Sequence, residues 1–177
     1  MNSTRIKTLE QGIASEIAPF LTEEGFAFDR SRRTFRKEDD ACTQIVNFQV
    51  GTRSMEGLFA VNLGIFHPIY RDDPESPVPK RPEESHCLVR ERLSMLRETA
   101  VTKLFRPFVA GNKCFLKWWL TTPADHWWKF TDIPEETADT LADVLKLLQT
   151  KGLTWLEGNC NESCLRDMYE EHQRRRG

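Results

Sequence analysis

No apolar run in this sequence approaches the ~18 residues needed to cross a bilayer. The first twenty residues, "MNSTRIKTLEQGIASEIAPF", hold neither a continuous apolar stretch nor a small-residue cleavage site. An excess of one charge is also missing: 25 Lys and Arg stand against 27 Asp and Glu, for a net charge of −2. No global positive field therefore draws the chain to phosphate backbones or anionic lipid. These absences predict a soluble, cytoplasmic protein with no membrane partner and no nucleic acid as a main partner. The five cysteines, an odd number at irregular spacing, do not form the even framework of a small secreted domain. They read as small buried hydrophobes of a reducing compartment. A serine nucleophile elbow, a glycine-rich phosphate loop and an HExxH pair are all absent, so no cofactor is expected. Internal repeats and low-complexity tracts are missing as well.

What is present is a chain of 177 residues, long enough to bury most of its apolar surface as one domain over 1–177. From Thr4, the positions Ile6, Leu9, Ile13, Ile17 and Leu21 recur every three or four residues. They predict a helix that ends near Glu24 on Gly25, with Pro19 bending its last turn. Phe26 to Asp29 and Arg33 to Lys37 read as a hairpin. "CTQIVNFQVGTR" and "GLFAVNLGIF" are rich in β-branched and aromatic residues and read as strands. In the second, Phe59, Val61, Leu63 and Ile65 share one face, while Ala60, Asn62 and Gly64 make the other small and polar, a surface suited to binding.

Five prolines, Pro68, Pro74, Pro77, Pro79 and Pro82, make residues 67–85 a long surface loop. A strand to Leu93, a helix from Met95 to Phe105 and a strand in "NKCFLKWWLTT" are predicted next. Asp132 as N-cap and Pro134 start a helix that Gly152 stops. A last helix from Glu162 turns Leu165 and Met168 inward and frays in the basic tail 173–177. The order predicts an α+β fold: a mainly antiparallel sheet of about five to six strands, with the N-terminal helix and the C-terminal helices packed on one face.

Together, "GFAFDRSRRTFRK", "IVNFQVG", "LFAVNLGIF", "CLVRERL", "DHWWKF" and "ADTLADVLKLLQTKGLTWLE" resemble, in this order, a bacterial family of unknown function, the domain-of-unknown-function family numbered 4304. The resemblance runs from about Gly25 to Leu156. It implies a small bacterial cytoplasmic protein with no established activity, whose shared frame includes Arg90, Arg92, Trp127 and Trp128. The stretch 94–122 is longer than the family leads one to expect and reads as an insertion.

Arg90 and Arg92 on one strand face place two guanidinium groups roughly 7 Å apart. That spacing suits a clamp on carboxylate or phosphate, or two groups each neutralised by an acid or laid over a tryptophan face. Adjacent tryptophans on a strand face opposite sides, so Trp127 and Trp128, like Trp118 and Trp119, divide into one core ring and one surface ring. An outward indole beside arginine suits a protein interface. His86 and Cys87 are split by the same geometry and make no thiolate–imidazolium pair. Cys160 and Cys164, at i and i+4, are weak zinc candidates with His126, His172 or Cys114; a buried pair is preferred and no metal is expected. The acids of the proline-rich loop and the run "RSRRTFRK" read as solvated.

Two functions compete. The first is a non-enzymatic protein-binding module, by analogy an immunity or accessory factor, that uses Asn62, the proline-rich loop and exposed Trp and Arg. The alternative is a small-anion or metabolite-binding protein or enzyme with Arg90, Arg92, His67 and Trp128 in one pocket. Neither the identity of a partner nor the oligomeric state follows from the residues.

Overall fold

The computed structural model describes residues 3–71, 76–97 and 126–176. Its first helix follows the apolar stripe: α1 (Ser3–Gly12), a π turn (Ile13–Ile17) and α2 (Ala18–Glu23) run on without a gap. Leu9, Ile13, Ile17 and Leu21 are all buried along it. Pro19 lacks an N–H, and its ring crowds the carbonyl four residues back. The wider π turn, in which the Ala18 N–H donates to the Ile13 carbonyl, absorbs this, so the helix continues past the proline. Gly25, at φ 89°, closes it as expected, with the Phe26 N–H on the Leu21 carbonyl at 2.8 Å.

Strands β1 (Ala27–Asp29), β2 (Thr34–Glu38), β3 (Thr43–Val50), β4 (Leu58–Phe66) and β5 (Val89–Arg92) pair antiparallel in the order β1-β2-β3-β4-β5. β6 (Trp128–Lys129) joins β4 at Leu58 and Phe59. The expected antiparallel sheet is therefore present. β5 ends one residue earlier than expected, in a 3-10 turn over Leu93–Leu96. The helix expected from Met95 does not start there, since Arg97 after the turn is extended at ψ 129°; residues 98–105 of that expectation lie outside the described residues, as does the strand holding Cys114, Trp118 and Trp119.

The odd-numbered residues of β4, Phe59 to Ile65, meet Val46 and Phe48 of β3, and on this face they pack with the helices into one core. α3 (Pro134–Leu147) adds Leu141 and Val144 to it. Its N-cap is Ile133, not Asp132: the Thr137 N–H donates to the Ile133 carbonyl at 3.2 Å, and Asp132 pairs outward with Arg5 at 3.8 Å. Gly152 does not stop the helix. A π turn over Leu148–Gly152 leads straight into α4 (Leu153–Asn159). The glycine is needed for space, since a Cβ there would stand 3.1 Å from both Leu93 Cδ1 and Leu148 Cδ2.

Helix α5 (Glu162–Arg176) includes the arginine run where fraying was expected. Leu165 is buried as predicted, but Met168 is 39% exposed. Four residues after Leu165, Tyr169 lies nearer in angle and takes the inward place, against Tyr70 at 5.7 Å. The cysteines need a larger correction. Cys42, entering β3, is disulfide-bonded to Cys160 at the end of α4, across 118 residues and with a Cα separation of 5.7 Å, a normal separation for a bridge.

Candidate functional site

Strand register decides what faces away from the helices. Two rows cross the sheet there. Asp29, Thr34, Asn47, Asn62 and Arg92 lie in register from β1 to β5, and so do Ala27, Arg36, Ile45, Gly64 and Arg90. The first row is polar throughout and tied by amides: Asn47 Nδ2 donates to Thr34 Oγ1 at 2.8 Å and Asn62 Nδ2 to Gln49 Oε1 at 3.0 Å. The second has an arginine near each end and a hollow at Gly64.

The end of the proline-rich loop fills that hollow. Arg36 Nε donates to the Pro82 carbonyl at 2.6 Å, Glu83 is ion-paired with Arg32, and Cys87 closes a small apolar cluster with Ile45 and Phe66. The segment Pro82–Cys87 is thus a strap across the face turned away from the described helices, and the face expected to be open is buried at Ala60, Asn62 and Gly64. A 3-10 turn over Glu84–His86 shapes the strap, with the Glu83 N–H donating to His86 Nδ1 at 2.9 Å. His86 is therefore a cap. Burial first, and the Glu84 carboxylate second, push the Cys87 thiol far above its usual range, which makes it a poor nucleophile.

Beside the strap, an open depression of about 240 Å³ is lined by Gln49, Asn62, Glu84, Arg90, Glu91 and Arg92. The Arg92 guanidinium lies over the Trp127 ring, 4.7 Å from its centroid. Arg90 is exposed, and no hydrogen bond from the described residues reaches its side chain. Glu91 Oε1 accepts from the Arg92 backbone N–H at 2.9 Å. Burial pushes the Glu84 carboxyl up, against the opposing pull of Arg90 and Arg92. The guanidinium groups thus share their depression with two acids and an indole. A second, wider depression, about 750 Å³, opens on the other side of the strap around Asp29, Arg36 and Arg81.

The structure brings together Arg90, Arg92, Trp127 and Asn62 and leaves out His67 and Trp128. Trp128 is buried in the helix-covered core against Phe59 at 5.9 Å, its Nε1 donating to Asp143 Oδ2 at 2.7 Å. His67 stacks on Tyr70 at 4.7 Å, its pKa held down by burial against the attraction of Glu162. The single pocket of the anion reading, with Arg90, Arg92, His67 and Trp128 together, is therefore not assembled. Cys160 is committed to its disulfide, and no group of three metal-ligating side chains is assembled among the described residues. Sequence reasoning missed Gln49 and Glu84. Gln49 was visible as a polar residue on the Asn47 face of β3, whereas Glu84 comes from a loop whose path no local pattern gives.

The model of a family described as a domain of unknown function, DUF4304, matches residues 17–158. Comparison with curated proteins and with solved structures gives no match.

Proposed function

Since the chain belongs to the DUF4304 family, a domain without an assigned function, we propose from its geometry that it is a non-enzymatic protein-binding module. Its contact surface is the face turned away from the described helices, around Arg90, Arg92 and Trp127, with the largely buried Asn62 in the lining of the depression. One observation carries this reading. Arg92 is held over Trp127 at 4.7 Å beside an exposed Arg90, in a depression that is open and mixed in charge. Arginine and tryptophan dominate interface hot spots because each offers a large, stiff contact area together with hydrogen-bond donors. A stacked guanidinium has already lost much of the freedom that binding would otherwise cost. Glu84 and Glu91 beside the arginines suit a partner that presents both charges, as an immunity or accessory factor would meet on another protein, better than a lone anion.

The test is capture of partners with the intact chain and with Arg92→Ala and Trp127→Ala, followed by titration of each purified candidate. The expected result is a partner whose affinity falls at least tenfold in both variants while their melting temperatures remain near that of the parent. The anion reading wins instead if phosphate or citrate raises the melting temperature saturably and Arg90→Ala abolishes the rise.

A further inference from the structure

We propose that the Cys42–Cys160 disulfide is a reversible thiol-exchange site that latches helix α5 to the sheet, docked when oxidised and released when reduced. The bond sits at the root of that helix. Cys160 ends α4, and α5 begins two residues later at Glu162. The family match stops at residue 158, so α5 lies beyond the matched domain and the bond ties it back to Cys42, inside that domain.

Among the described residues, few buried side chains hold the helix besides the bond, although Glu171 and His172 make contacts of their own. Among the α5 residues whose burial is described, Leu165 alone is buried. Tyr169 meets Tyr70 at 5.7 Å, and open space of about 230 Å³ remains where Met168, Glu171 and His172 approach Leu88. The helix keeps its own start, since Asn161 Oδ1 accepts from the Ser163 N–H at 3.0 Å and the Cys164 N–H at 3.3 Å. Release would therefore free a formed helix end and uncover Tyr70 and the seat of Leu165.

Access favours exchange at one sulfur. Cys42 is buried and Cys160 is partly exposed. The thiolate of a small thiol attacks Cys160 Sγ, the protein S–S bond breaks, and Cys42 leaves as a thiolate that takes up a proton. A second thiolate then attacks the outer sulfur of the mixed disulfide, releasing the oxidised small-molecule disulfide and a Cys160 thiolate that is protonated in turn. The protein gains two electrons and two protons, supplied by two thiols or one dithiol.

The test is hydrogen exchange on the full chain, oxidised and then in dithiothreitol, with thiol counting by alkylation, and on Cys42→Ser. Reduction should speed exchange at amides 165–174 at least tenfold while β3 and β4 keep their protection, and reoxidation should reverse the change. The proposal fails if α5 stays protected once both thiols are counted free. It also fails if β3 and β4 lose protection together with α5, which would make the bond a staple of the whole fold. Native protein in which both cysteines alkylate without reductant would overturn it too. Should Cys42→Ser not fold, reduced wild-type protein decides the outcome.

Discussion

A β-carbon on Gly64 would stand 2.8 Å from the Sγ of Cys87. Bare backbone in the middle of β4 is what lets the strap Pro82–Cys87 lie against the sheet, and the strap in turn brings Glu84 to the depression that holds Arg90 and Arg92. A missing side chain in one strand thus shapes the site that begins directly opposite it, at Arg90, on the next.

Gly64→Ala should therefore destabilise the protein by about 1–3 kcal/mol, the usual range for overpacking a filled interior. Urea titration would measure it. Cys87→Ala should recover part of the loss, since it removes the nearer atom but leaves the Cys87 Cβ at 3.3 Å from the new methyl. Independent, additive effects of the two changes would contradict the contact.

The Arg92–Trp127 contact, at 4.7 Å, predicts a coupling of about 0.5–1 kcal/mol in a double-mutant cycle on stability. Arg90→Ala combined with Trp127→Ala should be close to additive. If Arg90 couples as strongly as Arg92, the stack is not what orders this face.

Glu84 supplies a prediction with a definite sign. Its carboxyl is raised above the ordinary glutamate range by burial, in spite of Arg90 and Arg92, so the folded state disfavours its charge. Above the raised folded pKa that penalty is complete, and Glu84→Gln should raise the melting temperature at neutral pH. The gain should shrink as pH falls through the folded value and disappear below the unfolded one, where both states carry the proton. A difference that stays constant with pH would mean that the substitution acts through packing.

Cys87 and Cys164 are free thiols in different surroundings, one buried and raised in pKa, the other partly exposed. Iodoacetamide should label Cys164 in the native protein, and Cys87 only once the chain unfolds. Peptide mass mapping reads this directly, and early labelling of Cys87 would show that the strap lifts from the sheet.

Legibility followed the range of the interaction. The stripe Leu9, Ile13, Ile17 and Leu21, the Gly25 cap and the alternation of β4 are patterns within one turn or one strand, and the structure repeats them. Parity required one of Trp127 and Trp128 to face inward. The pairing of Trp128 with Phe59 settled which. Gly152 looked like a stop because a glycine that caps a helix and one that admits a neighbour are the same residue; the approach of Leu93 distinguishes them.

Local periodicity, turn chemistry and charge balance are written into consecutive residues, and from them came the elements, their type and the antiparallel α+β class. The seat of the strap, the stacking of Arg92 and the bond between Cys42 and Cys160 each join segments far apart in the chain, up to 118 residues for the disulfide. Such contacts form when the core closes and the sheet register is set. No short pattern carries them, because the free energy that selects them belongs to the packed whole.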